Sequence, residues 1–169
     1  TFFEMLGNFS FGSYFKKEAI EFAWQFLTEI VQIPPNKLLI TVFKTDKESE
    51  HIWLNNIGLS RDRVIVVNSN DNFWSMSNRG PCGPCTEIFY DCGDNYAGDT
   101  NSFFDNSGNR YTEIWNIVFM QYNRVSDNNL IALPNFSVDT GMGLERLASI
   151  IQGVIGNYNI DLFRQLIRE

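Results

Sequence analysis

Hydrophobic positions in the first half of the chain follow two different periods. Residues 16–32 carry apolar side chains at helical spacing up to the Pro34-Pro35 pair, which predicts one amphipathic helix that ends there. Residues 38–43 and 64–67 are β-branched and apolar, as in buried strands, and residues 46–56 between them have helical character. Regular βαβ alternation is absent from this pattern, which therefore favours an α+β fold with a mostly antiparallel sheet flanked by helices.

The second half of the chain is less regular and begins with polar residues. Residues 68–84 are rich in Asn, Ser, Asp, Gly and Pro, a composition that predicts a long loop. Beyond this loop the pattern predicts strands at 86–90 and 111–122 joined by a polar segment at 92–110, a run at 137–143 that leads into a helix, and a last helix capped by Asn159 or Asp161.

Composition and charge narrow the class of protein. Hydrophobic residues make up 44% of the 169 residues and charged residues 20%, a balance typical of a folded globular chain. The formal net charge of −7 argues against a nucleic-acid clamp, because phosphate backbones are held by Lys and Arg. No apolar stretch approaches the roughly 20 residues of a membrane helix. We therefore expect no membrane association, and only local contact with RNA.

Three cysteines, Cys82, Cys85 and Cys92, stand close together in the middle of the chain. Their odd number and the lack of distant partners do not suit a disulfide framework, so a reducing, cytoplasmic setting is expected. The Cys82-Gly-Pro-Cys85 spacing also fits a zinc or thiol-redox module. However, no second Cys or Cys/His pair follows at a suitable spacing, and His51 is distant in sequence, so no zinc is expected within these residues.

Two glycines stand one residue apart directly before the predicted helix that contains Arg146. Gly141 and Gly143 would let the backbone approach a ligand closely, and an arginine in the first helical turn can lie over a purine ring and reach a phosphate. A Gly-x-Gly pattern alone is also typical of an ordinary tight turn with a solvated Glu145–Arg146 pair. On that pattern alone the ordinary turn is favoured.

Four longer strings change this interpretation. GMGLER at 141–146 resembles the third signature motif of class II aminoacyl-tRNA synthetases, which ends in an invariant arginine. TFFEMLGNFSFG at 1–12 resembles the second strand of the second motif as it occurs in alanyl-tRNA synthetases. GPCGPCTEIFYD at 80–91 and EIWNIVFMQ at 113–121 resemble further stretches specific to the alanyl enzymes. The resemblance covers residues 1–169 and implies a class II fold that binds ATP in a bent form and joins alanine to the 3′ end of its tRNA.

The resemblance implies which residues hold ATP. Arg146 would stack on the adenine ring near the γ-phosphate, and Gly143 belongs to the same site. Phe3, in preference to Phe2, would lie on the opposite face of the base. Because neighbouring strand residues point to opposite faces of a sheet, only one of the two phenylalanines can face the nucleotide. Without the resemblance, Phe3 is equally typical of a core strand residue.

The resemblance also implies a pocket for alanine. Asp139 matches the acidic residue that binds the α-ammonium group, and a carboxylate there can hold a cation in a desolvated site. Trp74 would form an aromatic wall, Asn116 would supply a polar group, and Gly141 would leave space for the substrate. By local pattern alone, Asp139 is typical of a turn, Trp74 of a loop anchor and Asn116 of a polar interruption in an apolar strand.

The implied reaction uses ATP as a substrate together with Mg²⁺. Glu113, and with less support Glu87 or Asp91, are candidate Mg²⁺ ligands because this ion prefers carboxylate and phosphate oxygens. Each of them is equally typical of a solvated carboxylate at a strand edge. The carboxylate of alanine attacks phosphorus directly, so catalysis depends on alignment and on placed charges. Arg146 and Asp139 are therefore the candidate catalytic residues.

Several parts of the family's machinery have no counterpart in these residues. The motif-two arginine and the first motif would precede Thr1, and the regions that read tRNA and edit errors would follow Glu169. We therefore expect residues 1–169 to be a partial aminoacylation domain truncated at both ends. Two other hypotheses stay open here, namely the zinc or thiol-redox module at Cys82 and Cys85, and a non-catalytic relative that keeps the fold as a binding module.

We expect residues 1–169 by themselves to show no alanine-dependent exchange of pyrophosphate into ATP. The reason is that the motif-two arginine, on which the in-line step of this family relies, is not among them. The measurement is the incorporation of labelled pyrophosphate into ATP by the purified 169-residue chain. Exchange clearly above the background without alanine would contradict this expectation.

Overall fold

The structure is a computed structural model that describes residues 2–94, 110–127, 129–154 and 156–168. In these residues one sheet of eight strands is accompanied by four α-helices. The strands are β1 (Met5–Leu6), β2 (Ser10–Phe11), β3 (Leu38–Phe43), β4 (Val64–Val67), β5 (Phe73–Ser75), β6 (Gly80–Asp91), β7 (Tyr111–Ser126) and β8 (Asn129–Gly143). The helices are α1 (Lys16–Gln25), α2 (Lys47–His51), α3 (Leu144–Ile151) and α4 (Asp161–Arg168).

The strand order of the sheet is β1-β8-β7-β6-β3-β4, with β2 also paired to β8 and β5 to β6. Among the described strand pairs only β3 and β4 run parallel. The expected α+β fold with a mostly antiparallel sheet flanked by helices is therefore confirmed. No helix in the described part of the chain is both long and apolar enough to cross a bilayer.

Side-chain alternation divides the sheet into an apolar face and a polar face. On β7 the side chains of Ile117 and Phe119 are fully buried in the core, whereas Asn116 is only partly buried. Successive strand residues point to opposite faces, so Asn116 faces away from that core. The helix α1 covers the apolar face, where its residues Ala19, Ile20 and Ala23, together with Leu27 just after its end, join the same buried cluster.

The helices of the first half agree closely with the sequence pattern. The helix α1 continues into a wider π-helical turn at Phe26–Ile30, and α2 continues in the same way at Ile52–Asn56. The buried ammonium of Lys16 pairs with Asp46 at 2.6 Å, and the Asp46 carboxylate also accepts the Ser49 N–H at the start of α2. This ion pair connects the first two helices, and Asp46 caps the second.

Residues 68–84, which were predicted to be a loop, contain strand structure. β5 pairs antiparallel with residues 82–84, and β6 begins as early as Gly80. The register with β7 shifts between Cys82 and Cys85, and prolines are tolerated at such a bulge. A Cβ atom on Gly83 would overlap the carbonyl oxygen of Phe119. The loop prediction is wrong because Gly and Pro serve a close strand contact here rather than a turn.

The start of the chain also differs from its predicted form. The opening apolar run indicates a strand from the first residues, but β1 includes only Met5–Leu6. The preceding backbone is held by α3 instead, since Leu144 N–H donates to Glu4 O at 2.9 Å and Glu4 N–H donates to Glu145 Oε1 at 2.8 Å. Most of the polar segment predicted at 92–110 lies outside the described residues.

We expect Gly83→Ala to lower the free energy of unfolding of this domain by about 3 kcal/mol or more, at the upper end of the usual cost of overpacking. The added methyl group would force β6 and β7 apart at the bulge. The measurement is urea unfolding followed by tryptophan fluorescence. Ala132→Val, which adds bulk at an exposed position of β8, is the control and is expected to change stability by less than about 0.5 kcal/mol. Equal stability of the two variants would contradict the expectation.

Candidate active site

A cavity of about 690 Å³ opens on the polar face of the sheet, beside the start of α3. Its volume lies within the range of small-molecule sites, roughly 300–1,000 Å³. The structure brings all eight residues predicted for ATP, alanine and Mg²⁺ to the wall of this one cavity. They are Phe3, Trp74, Glu113, Asn116, Asp139, Gly141, Gly143 and Arg146.

The strands β7 and β8 position the polar side chains of the cavity. Asp139 and Gly141 occupy alternate positions of β8 and so point to one face of the sheet. Their partners across the ladder are Val118 for Asp139 and Asn116 for Gly141. All four line the cavity, so the register of one strand pair builds this wall.

Three carboxylates line the cavity, and two of them already have partners. Glu145 is buried and accepts the backbone N–H of Glu4. Glu113 Oε2 pairs with Arg146 Nη1 at 3.2 Å. No hydrogen bond or ion pair joins the Asp139 carboxylate to another residue in the described part of the chain. Asp139 is therefore the negative group available to a cationic ligand.

Arg146 lies on the first turn of α3, as the sequence indicates. Its partner is Glu113 and not Glu145, with which it would pair in an ordinary turn. Its Nη1 donates to the backbone oxygen of Glu113 at 2.9 Å as well as to the carboxylate. Glu145, the neighbour expected to pair with it in solvent, is buried instead. A Cβ atom on Gly143 would lie 3.4 Å from the Cγ and Cδ atoms of Arg146. The missing side chain at Gly143 thus lets the arginine stem lie against the backbone.

The two opening phenylalanines have different surroundings. Phe3 lines the cavity and is 66% exposed. Phe2 makes an edge-on contact with Phe163, with 6.4 Å between ring centroids. Both residues precede β1, so strand alternation is not the reason for this difference, although only Phe3 faces the cavity.

Trp74 and Gly141 also line the cavity. Trp74 belongs to β5, which positions it through its pairing with Gly83. A Cβ atom on Gly141 would lie 2.6 Å from Met5 Sδ. The flexible thioether of Met5 therefore occupies part of the space that the missing side chain leaves.

The three candidate Mg²⁺ ligands are not equivalent. Of these only Glu113 lines the cavity. Glu87 is not in its wall but is paired with the wall residue Asn116, and burial and then the charge of Glu113 raise the pKa of the Glu87 carboxyl to about 7. Asp91 is outside the cavity and receives two hydrogen bonds from Arg110, at 2.9 and 3.1 Å. Burial opposes ionisation of Asp91, but the hydrogen bonds from Arg110 and Gly93 outweigh it and lower the pKa.

No group of three or more His, Cys, Asp and Glu side chains is arranged to hold a metal ion in the described ranges. The cysteine pair has the surroundings of a structural pair, since Cys82 is 0% and Cys85 is 1% exposed. Burial, followed by the charge of Glu87, raises the pKa of the Cys85 thiol. A buried thiol with a raised pKa is a poor nucleophile and a poor metal ligand.

Sequence reasoning did not identify several residues of the cavity wall. The apolar residues of the wall carry no chemical signal in the sequence, because the strand pattern alone assigns them to the core or to the surface. Alternation from Asp139 and Asn116 would have found Val118, which pairs with Asp139 on the same face. The residues not predicted are Met5, Phe9, Ile114, Val118, Thr140, Glu145 and Asn157.

Comparison with known proteins identifies the family of this chain. The family described as tRNA synthetases class II (A) matches residues 1–169. The chain belongs to this family. Alanine–tRNA ligases of Francisella philomiragia and Pseudoalteromonas translucida are each 59% identical to it, over 169 and 167 residues. The alanine–tRNA ligase of Francisella tularensis subsp. tularensis is 57% identical over 169 residues.

These matches cover nearly all of this chain but only a small part of each relative. They include 100%, 99% and 100% of this chain, and 20%, 19% and 20% of the relatives. The chain therefore spans about a fifth of the length of the curated relatives it matches. The resemblance of its sequence motifs to class II synthetases is confirmed over the full 169 residues.

We expect Cys85 in the folded chain to react with iodoacetamide at least about tenfold more slowly than Cys92, because burial keeps its thiol protonated and inaccessible. Peptide mass spectrometry after timed alkylation at pH 8 measures each site separately. Labelling in denaturant is the control, and all three cysteines are expected to react there at similar rates. Fast labelling of Cys85 in the folded protein would favour the thiol-redox hypothesis.

Proposed function

We propose that this chain carries the amino-acid-activating centre of an alanine–tRNA ligase. The protein would activate alanine with ATP to alanyl-adenylate and transfer it to the 3′ end of tRNA. The observation that carries the proposal is that the unpaired Asp139 carboxylate and the Arg146 guanidinium line the same cavity. A small zwitterion and a polyanion need these two charges at adjoining places.

The alanine end of the cavity is assigned to Asp139, Trp74, Asn116 and Gly141. Asp139 would bind the α-ammonium group, since the other two carboxylates of the wall already have partners. Trp74 would close the pocket with an apolar surface around the methyl group. A pocket selects alanine over glycine by one methyl group, worth about 1–3 kcal/mol, and discriminates poorly against serine. Proofreading by other regions is therefore expected.

The nucleotide end is assigned to Arg146, Phe3 and Gly143. Phe3 and Arg146 both line the cavity, and each offers a planar group that can stack on a purine. The guanidinium pairs with Glu113 through Nη1 and is 45% exposed. It therefore keeps exposed surface on which a base can stack. Gly143 supports this placement because a side chain there would crowd the arginine stem.

Mg²⁺ would be held by Glu113 together with phosphate oxygens of ATP. This ion is usually bound by one or two carboxylates plus substrate phosphates, so one carboxylate in the cavity suits it. When bound, Mg²⁺ would neutralise phosphate charge. Glu87 and Asp91 are weaker candidates, since Glu87 hydrogen-bonds with Thr41 and Asn116 and Asp91 with Arg110.

The chain's residues would act by binding and orientation in both steps. In the first step the alanine carboxylate attacks the α-phosphorus, the bond to the leaving oxygen breaks, and pyrophosphate departs. In the second step a ribose hydroxyl of tRNA attacks the activated carbonyl and AMP departs. Asp139 would hold the ammonium end while Arg146 holds the nucleotide, which aligns the reacting atoms. We place the reaction in the cytoplasm, in keeping with the unpaired cysteines.

A non-catalytic binding module is the second candidate, and it would keep the same cavity. It differs from the ligase in that alanine and ATP would bind without exchange of pyrophosphate. The zinc or thiol-redox module has less support, because both of its cysteines are buried. The presence of the Asp139 carboxylate and the Arg146 guanidinium in one cavity favours the ligase over the zinc or thiol-redox module, and pyrophosphate exchange distinguishes the ligase from the binding module.

We expect Asp139→Asn in the complete protein that carries this chain to raise the KM for alanine by about 100-fold or more, the usual cost of removing one partner of a desolvated charge pair. The KM for ATP is expected to stay within about twofold, because the nucleotide end does not include Asp139. Alanine-dependent exchange of labelled pyrophosphate into ATP measures both, with serine and glycine as competing substrates. Asp62→Asn, an exposed site on another part of the fold, is the matched control.

Two results would contradict the proposal in different ways. Unchanged alanine kinetics in Asp139→Asn would overturn the ammonium assignment while leaving the ligase activity in place. Binding of alanine and ATP by the unmodified protein without any exchange would favour the binding module.

A further inference from the structure

A row of polar side chains crosses the sheet and ends at the cavity. Thr41 on β3 is paired in register with Glu87 on β6. Glu87 is in turn paired with Asn116 on β7, and Asn116 with Gly141 on β8. Directly paired residues share a face of the sheet, so these four positions form one row. Asn116 and Gly141 line the cavity, whereas Thr41 and Glu87 continue the row beyond its wall.

Hydrogen bonds from both sides of this row converge on Glu87. Asn72 Nδ2 donates to the backbone oxygen of Cys85 at 3.3 Å and to Thr41 Oγ1 at 2.8 Å. A backbone carbonyl only accepts, which fixes the orientation of the Asn72 amide. Since Thr41 Oγ1 accepts from Asn72, its own hydrogen is available for Glu87 Oε2, 2.9 Å away. Glu87 is therefore an acceptor on its β3 side.

Glu87 accepts on its β7 side as well. Asn116 Nδ2 donates to Glu87 Oε1 at 3.3 Å. An ionised carboxylate offers acceptors only, so it requires the Asn116 amide to turn its NH₂ group toward β6. The amide oxygen Oδ1 of Asn116 is then buried and has no hydrogen-bond partner in the residues that the structure describes.

A buried acceptor without a partner is unfavourable, so a ligand that supplies a donor would be bound more tightly. Asp139 lies diagonally across the ladder from Asn116, a position roughly 7–8 Å away between Cα atoms. An ammonium group with three N–H donors fits between a carboxylate and an amide oxygen at this separation. The two acceptors can thus hold one ammonium.

We propose that Glu87 is a positioning residue for the amino-acid substrate, which holds the Asn116 amide so that Oδ1 accepts from the bound α-ammonium. Glu87 itself does not touch the substrate. This inference rests on the proposed function, because it needs an α-ammonium group in the cavity. Glu87 would thus contribute to specificity from beside the cavity wall. It would do so by orienting the Asn116 amide and not by changing the size of the pocket.

The experiment is a double-mutant cycle of Glu87→Gln and Asn116→Asp in the complete protein. With glutamine at 87, Thr41 donates to the amide oxygen and the new NH₂ group faces Asn116, which has to turn its own oxygen away from the cavity. With both changes, that NH₂ group donates to the new carboxylate, whose second oxygen again faces the cavity. The total charge of the pair is unchanged. The readouts are KM and kcat for alanine and KM for ATP in pyrophosphate exchange, together with the urea midpoint.

We expect Glu87→Gln to raise the KM for alanine by about tenfold or more, the scale of one hydrogen bond to a charged group, with the KM for ATP within about twofold. Asn116→Asp alone is also expected to raise the KM for alanine, because it places a second carboxylate opposite that of Glu87. The double variant is expected to recover at least about tenfold relative to the worse single variant, as coupled neighbours do. Glu50→Gln, a partly buried glutamate on α2, is the matched control and leaves alanine kinetics unchanged.

Several results would overturn the proposal. They are an unchanged KM for alanine in Glu87→Gln, a double variant no better than its parents, or an Asn116→Asp variant that equals the double variant. A loss of kcat, ATP affinity and urea stability together, without recovery in the double variant, would mean that Glu87 only supports the fold. Failure of the unmodified protein to exchange pyrophosphate with alanine would instead overturn the proposed function and this inference with it.

Discussion

A sheet with one face in the core has to keep its register, because a shift of one residue turns every side chain of a strand to the opposite face. In this chain the buried Ile117 and Phe119 hold β7 against α1, and this leaves Asn116 on the other face. On β8 the buried Val138 does the same for Asp139. The placement of the polar groups in the cavity therefore follows from the burial of apolar groups behind them. Packing energy on one face maintains geometry on the other.

Contacts between the start of the described chain and the junction of β8 with α3 close the site. The backbone of Glu4 exchanges hydrogen bonds with the start of α3, at Leu144 and Glu145. The hydroxyl group of Thr140 accepts from Asn8 N–H and donates to Asn8 O, at 2.9 and 3.1 Å. These contacts satisfy donors that a helix start and an irregular segment would otherwise leave unpaired. They also bring the Phe3 side to the Arg146 side, which neither element could do alone.

The carboxylates around the cavity differ in the partners that each of them has. Glu145 serves the backbone, Glu113 pairs with Arg146, and Asp139 stays available. Burial keeps Glu87 from ionising readily, although hydrogen bonds from Thr41 and Asn116 reach its carboxylate. Carboxylates of one chemical kind thus perform different tasks in one small region. The differences arise from burial and from the donors that each carboxylate meets.

The sequence by itself determined the fold class, most element bounds in the first half, the family and eight of the residues that meet at the cavity. Periodicity shows which side chains must be buried, and the family motifs name the polar residues among the rest. It could not determine that Gly83 and its neighbouring prolines form a strand, because the close carbonyl of Phe119 comes from a distant segment. Nor could it pair Arg146 with Glu113 rather than with Glu145, or place Glu87 beside Asn116. Those choices depend on strand register and burial, which exist only once distant parts of the chain have packed together.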